Sequence, residues 1–383
     1  MKLRIEKDAL ADAVTWVART LPSSPPNPVL AGMLIETDAD GTLQLSGFDQ
    51  SVSARARISA DVSDPGQVVV FGRLLNDIVK SLPNRPVDIT TDGNRVEVMC
   101  GSGRFAMQTM PIEDYPALPV FPATLGNVAG SDFTNAVAQV AVAAATAKPS
   151  QSAPSQMVTL LGINMMIEGD RMTLMATDRY RLAVATLPWR PETPDLQTTT
   201  LVQARTLSDI AKSLGAVGDI ELARADAGSD VIGLAAGGRK TTVLLIEGKY
   251  PAVLGLFPTE HSGSTVVNTA ELIEAVRRVS LVVPQSMGGG AVRLRFADSA
   301  IVLEAGAGED AQATESVEAE VSGNEITIAL NFTYLLDGLT KVPTENVQLT
   351  YTEANKPVTI TGAGEHPQGE GYDFRYLVLP VKM

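Results

Sequence analysis

The chain is poor in the residues that carry out most protein chemistry. It has one cysteine, Cys100, and two histidines, His261 and His366, among 383 residues. A single thiol excludes an internal disulfide framework and fits a reducing compartment, so a cytoplasmic location is expected. Two separated histidines and one cysteine supply no zinc-ligand cluster, and no metal or other cofactor is expected. Aromatic residues make up only 5%, and none is interleaved with the basic residues of the predicted helices in the pattern that stacks single-stranded bases. No run of about 18 apolar residues occurs, so no membrane-spanning helix is expected. The opening MKLRIEKDAL lacks the apolar core of a signal peptide. Positive charge is also in deficit, with 30 Lys and Arg against 44 Asp and Glu, a net −14. That balance argues against a body whose whole surface attracts phosphate.

What the chain does have is repetition. LLNDIVKSL at 74–82 returns as TLSDIAKSL at 206–214 and as YLLDGLTKV at 334–342, with a shared acid at Asp77, Asp209 and Asp337. Other features keep nearly the same period, which separates a repeat from chance. GTLQLSGFDQSVSARARI (41–58) parallels DRMTLMATDRYRLAVATL (170–187), and GRFAMQTMPIEDYPALP (103–119) parallels RKTTVLLIEGKYPAVLGLFP (239–258). The third copy ends in FRYLVLPVKM, where the chain stops.

Each copy opens with a helical pattern: KDALADAVTWVARTL, SDFTNAVAQVAVAAA and TAELIEAVRRVSLVV. Apolar residues there recur at helical spacing behind an acidic or Ser/Thr start. Between the two helices of a copy lie short alternating stretches broken by Asp-Gly and Gly-Asp turns, which predict antiparallel strands and hairpins. The fold class is therefore α+β, with three repeated units of helix, strands, helix, strands. The Pro-rich stretches YPALPVFPATLG (115–126) and YPAVLGLFPTEHSG (250–263) mark the linkers. Domains are expected at 1–122, 123–254 and 255–383.

The six predicted helices (7–21, 71–82, 131–148, 203–214, 268–285 and 331–343) carry ten Lys and Arg against eight Asp and Glu. Their basic residues are Lys7, Arg19, Arg73, Lys80, Lys148, Arg205, Lys212, Arg277, Arg278 and Lys341. Taken singly, each is a solvated helix face. Together they describe a mildly positive surface on a body that is otherwise acidic, suited to phosphate contact without base readout. Elsewhere the search for chemistry yields little. GLAAGGRKT (233–241) has Arg239 where a phosphate loop needs its lysine, and reads as a hairpin turn. GGG at 288–290 lacks dinucleotide-binding spacing and reads as a loop. Glu309 and Asp310 sit in a polar Gly-rich turn, and both histidines read as exposed loop residues.

The triplicated unit, ATDRYRLAV in the middle copy, the helix start at Asn331–Tyr334 and the final YLVLPVKM resemble the bacterial sliding clamp, the beta subunit of DNA polymerase III. The resemblance spans the whole chain. It implies three domains of the DNA-clamp fold, with two helices of each lining the inside of a ring and antiparallel sheets outside. The ring is a head-to-tail homodimer encircling duplex DNA without sequence preference. Such a protein is a non-enzymatic processivity factor, whose expected partners are the polymerase III alpha subunit, the clamp-loader delta subunit and other proteins bearing clamp-binding motifs.

The resemblance also implies a peptide pocket formed by Leu160, Thr177, Arg179, Tyr180, Arg181, Leu182, Pro251, Leu256, Pro357, Leu377, Leu379, Pro380, Val381 and Met383. DNA-facing residues are expected at Arg73, Lys80, Lys148, Arg205, Lys212, Arg277 and Lys341. Phe105 and Met107 of one chain are expected to meet Leu281 and Val282 of another across the dimer interface. Pro380 lacks a donor for a ladder hydrogen bond, which predicts an edge position for the last strand. Departures from the family pattern are Ser24 in place of an arginine, Leu254 and Gly255 after the Tyr-Pro motif, and a loop at 147–156 without aromatics. They leave room for a specialised second copy of the clamp; the rival readings from other classes are an unrecognised β-rich hydrolase and a repeat protein that stacks end to end without closing.

Overall fold

The computed structural model describes residues 1–146, 155–224, 230–283, 290–306 and 311–381. The chain divides into two compact units, one of Met1–Gly130 with Lys212–Leu245, the other of Ser131–Ala211 with Ile246–Met383. The division cuts through the middle copy of the repeat, because backbone pairing follows sheets and the sheets cross from copy to copy.

The first unit holds an antiparallel run in the order 124–128, 220–224, 231–236, 239–244, 52–59, 42–48, 32–37, 66–71, 103–110, 95–100, 87–92, 2–5, 61–64. Its central joint is the pairing of Arg239–Leu244 with Val52–Ser59, which adds strands of the middle copy to the sheet of the first. The hairpin before that joint turns on Gly237 and Gly238, at φ 55° and 77°. Positive φ at both central residues is what a two-residue hairpin needs, so GLAAGGRKT is a turn, as its sequence predicts.

The second unit holds a twelve-stranded antiparallel run in the order 197–203, 162–168, 171–177, 181–188, 373–378, 358–363, 346–351, 263–268, 313–323, 300–305, 291–297, 326–331. The last strand, Asp373–Val378, lies inside this run, paired with Arg181–Pro188 on one side and Val358–Ala363 on the other. The expected edge position is thus not found. Pro380 lies beyond the strand end, where its missing N–H interrupts no ladder.

The helices repeat in their buried residues as well as in their sequence. The opening helices Lys7–Ala18, Gly130–Val140 and Thr269–Val279 bury Leu10, Ala13, Val14 and Val17; Phe133, Ala136, Val137 and Val140; and Leu272, Ala275, Val276 and Val279. The same i, i+3, i+4, i+7 stripe thus seats three helices with nearly the same side chains. The second helices, Gly72–Ser81, Ala204–Gly215 and Phe332–Leu339, bury Leu75, Ile78 and Val79; Leu207, Ile210 and Ala211; and Leu335, Gly338 and Leu339. Five of the six helices are shorter than their sequence windows, and Ala204–Gly215 matches its window in length, shifted by one residue. Gly130–Val140 gives way to a 3-10 turn at Ala141–Ala143, and Thr269–Val279 to one at Ser280–Val282. Apolar periodicity runs on through a 3-10 turn, so it does not reveal where the α-helix ends.

The expected acidic or Ser/Thr caps give way to asparagine at two helix starts among the described residues. Asn268 accepts from Glu271 N at 3.1 Å, and Asn331 accepts from Thr333 N and Tyr334 N at 2.9 and 3.2 Å.

Candidate functional site

At residues 177–182 the strand Arg171–Thr177 turns into Arg181–Pro188, and the turn is built by one carboxylate. Asp178 Oδ1 accepts from Tyr180 N at 3.0 Å and from Arg181 N at 3.1 Å. Arg179 takes the left-handed conformation at φ 81°, and its N–H is received by Thr177 Oγ1 at 3.2 Å. An Asx turn of this kind tolerates a non-glycine residue at positive φ because side chains satisfy the backbone donors.

The turn rims a cavity of about 400 Å³ lined by Leu160, Thr177, Arg179, Tyr180, Arg181, Leu182, Pro251, Val253, Leu256, Pro357, Leu377 and Leu379. Leu182 and Leu377 are direct cross-strand partners. Beneath them a buried apolar cluster joins Met175, Val184 and Val253, with Tyr250 and Phe257 packed alongside. The opposite character marks the mouth, where Tyr180 is 53% exposed and Leu256 55%. A rigid apolar floor with exposed apolar side chains at its lip is the form of a site that takes apolar anchors from a partner.

Eleven of the fourteen residues expected in the pocket therefore line one cavity. Pro380 and Val381 do not line it, and Met383 lies outside the described residues. Val381 is held elsewhere, its N–H donating to the Ala329 carbonyl at 2.8 Å. Val253 was missed, although it lies between Pro251 and Leu256 in an apolar stretch whose alternation could have flagged it.

Behind the rim lies a buried arginine. Arg181 is 8% exposed and donates from Nε to Asp178 Oδ2 at 2.9 Å and from Nη1 to Asp337 Oδ2. Its guanidinium carbon lies 4.4 Å from the ring centroid of Tyr334, which itself stacks on Tyr180 at 6.2 Å. Burial pulls the Arg181 pKa down, but Tyr376 and the two carboxylates outweigh it and hold the pKa above the usual arginine value. Burial raises the Tyr376 phenol, whose O–H donates to the Tyr334 carbonyl at 2.9 Å.

The first copy contains a twin of this turn with different chemistry. Asp49 Oδ1 accepts from Ser51 N at 2.8 Å and Val52 N at 2.6 Å, and Gln50 sits at φ 77°. Leu244 N donates to the Ser51 carbonyl at 2.9 Å, just as Leu379 N donates to the Tyr180 carbonyl at 2.9 Å. Yet where Leu182 faces Leu377, the twin has Ser53 facing Thr242, their hydroxyls 2.6 Å apart. Two buried hydroxyls that satisfy each other offer nothing to an apolar anchor. The repeat supplies the backbone twice; the leucine pair gives one copy an apolar floor.

Of the expected DNA-facing residues, Arg73, Lys80, Arg205, Lys212 and Arg277 are exposed and Lys341 is half-buried. Arg277 is spent locally on Glu274 at 2.7 Å, and Arg278 bonds to Glu315 at 3.1 Å through Nε. The helical charge is therefore less available than its count implies. Lys148 lies outside the described residues, as do Gly288, Gly289, Glu309 and Asp310. Of the expected interface residues, Leu281 is 83% exposed and Val282 half-buried in a 3-10 turn. Phe105 is half-buried, but Met107 is buried within its own chain, so its side chain is not free surface. His261 is exposed as expected; His366 is not, being half-buried with its ring 4.6 Å from that of Tyr372. Burial lowers the His366 pKa, with Asp373 and Asp132 acting against it.

Comparison with known proteins gives the same picture from another side. Family models of the DNA polymerase III beta subunit match residues 1–119 (N-terminal domain), 127–252 (central domain) and 255–381 (C-terminal domain). The chain is 45% identical over 386 residues to the beta sliding clamp of Streptomyces coelicolor, covering all of both chains. It is 39% identical over 382 residues to the beta sliding clamp homolog GriR of Streptomyces muensis, covering 100% of this chain and 99% of that protein. Among solved structures, the sliding clamp of Pseudomonas aeruginosa bound to griselimycin matches with a TM-score of 0.89 and 25% identity, over the full length of both. With three family domains matched along its length, the chain belongs to the DNA polymerase III beta subunit family.

Proposed function

We propose that the chain is a DNA sliding clamp, a processivity factor with no catalysis of its own. In this reading two copies join head to tail into a ring around duplex DNA. Each copy contributes three domains, at 1–122, 123–254 and 255–383, and turns its second helices towards the phosphates. Short linear peptides of the replicative polymerase, the clamp loader and repair proteins dock in the cavity between the Asp178–Tyr180 turn and Leu379. The reading places the protein in the cytoplasm; among the described residues, no helix is long and apolar enough to cross a membrane.

One observation carries the reading. The Leu182–Leu377 pair floors an open apolar cavity, at a strand end whose twin in the same chain carries a bonded hydroxyl pair in place of the leucines. That is a surface built to receive apolar anchors, in a chain 45% identical over its full length to a named sliding clamp.

The test uses topology. Loaded onto nicked circular DNA, the protein should remain bound through gel filtration and be lost once the circle is cut. A closed ring is held by linkage and not by affinity, so it slides off an end. Equal retention on circular and linear DNA overturns the sliding mode.

A further inference from the structure

The acid shared by the three second helices does not have the same fate in each. Asp77 and Asp209 are exposed, whereas Asp337 is half-buried and bonded to Arg181. The two other copies show that this helix folds without such a pair. Arg181 is also a departure, since the matching position of the twin turn is Val52. Two departures from the repeat, 156 residues apart, thus meet in one ion pair beside the cavity. A third accompanies them. Gly338 stands where the other helices have Ile78 and Ile210, and a Cβ there would lie 2.5 Å from the Tyr376 ring, which neighbours the same guanidinium.

We infer that Asp337 is a positioning residue for peptide docking: it holds Arg181 against the helix Phe332–Leu339 and so fixes the Asp178–Tyr180 rim of the cavity. The inference rests on the peptide-docking reading above. Asp337 does not line the cavity. Its effect passes through Arg181, which binds the rim at both ends. Arg181 Nε reaches Asp178, the carboxylate that shapes the turn, and the Arg181 carbonyl accepts from Thr177 Oγ1 at 2.6 Å. Tyr334, from the first turn of the same helix, covers the guanidinium and stacks on the exposed Tyr180. Removing Asp337 leaves Arg181 neutralised by Asp178, so the fold persists. The rim, however, loses its tie to the helix and must be ordered when a peptide binds, which weakens binding.

Fluorescence polarisation with the full chain tests this, using as probe a fluorescein-labelled peptide with adjacent Leu and Phe anchors. Asp337→Ala should weaken binding roughly tenfold, measured well below the melting temperature of each variant. Asp337→Asn, which keeps an acceptor for Arg181 but no charge, should fall between Ala and the wild type. A purely stabilising Asp337 would lower the melting temperature and leave the Kd unchanged. Leu256→Glu, on the cavity wall, serves as the control and should lose binding. Wild-type affinity in Asp337→Ala, with binding lost in Leu256→Glu, overturns the positioning role and leaves the docking reading standing. If the wild type binds no better than Leu256→Glu, both fall. Should Asp337→Ala fail to fold, wild-type affinity in Asp337→Asn overturns the inference.

Discussion

Gly338 shows how much one missing side chain can decide. Its neighbours in the helix keep the repeat's apolar stripe, but its own position is vacated for the ring of Tyr376, which is fully buried. Alanine there gains helix propensity of about 1 kcal/mol. It also drives a methyl into a ring that cannot yield, because the Tyr376 hydroxyl is tied to the Tyr334 carbonyl. The steric cost is larger, so Gly338→Ala should destabilise the chain by about 1–3 kcal/mol. A urea midpoint moved down at constant slope reports it; an unmoved midpoint would mean that the helix slides to make room. At this scale the sequence was legible wherever a residue acts locally. Asp178 and Asp49 declare their turns by their spacing from the strands. Arg181, Asp337 and Tyr376 do not declare each other, since nothing in a sequence tells which residues 156 positions apart will touch.

Strands and helices were read in the right order, with errors at their ends. The apolar period fixed each buried stripe, and the 3-10 turns at 141–143 and 280–282 hid where the helices stop. Pairing partners were less legible. A strand alternating Tyr376, Leu377, Val378 fits an edge or an interior place equally well, and Pro380 suggested the wrong one. The strand Gly103–Met110 does keep an open flank over most of its length: residues 103–108 pair with Arg95–Cys100, and on the other side, among the described residues, only Thr109 and Met110 pair. An unpaired flank of this kind invites a partner strand. Leu281, at 83% exposure, is the matching apolar feature expected across the interface. Leu281→Asp should therefore turn a particle of about 81 kDa, twice the chain mass, into one of 40.4 kDa by light scattering. An unchanged mass would assign the interface elsewhere.

For the whole molecule, charge was the most ambiguous signal. A net −14 argues against nucleic acid, and only the repeat, which sets equivalent helices in three places, reconciles it with DNA. The structure sharpens this by removing Arg277 and Arg278 from the available set through Glu274 and Glu315. Arg73 and Lys80 remain exposed on one second helix, and Arg205 and Lys212 occupy the matching positions of the next. Changing those four to Ala should lower the salt sensitivity of binding to short linear duplex, the log–log slope shrinking by up to about 0.9 for each phosphate no longer neutralised. The dimer mass should stay constant. An unchanged slope would move the DNA-facing surface to other residues.

The hydroxyl pair Ser53–Thr242 bears on traffic. The chain repeats this turn backbone, yet a leucine pair floors only one of the two matching strand ends. Under the proposed reading, each chain then carries a single berth, and a ring of two chains carries two. A polymerase, a loader and a repair protein arriving together outnumber those places. They must therefore take turns, and the order of succession on DNA is governed by how quickly each one lets go.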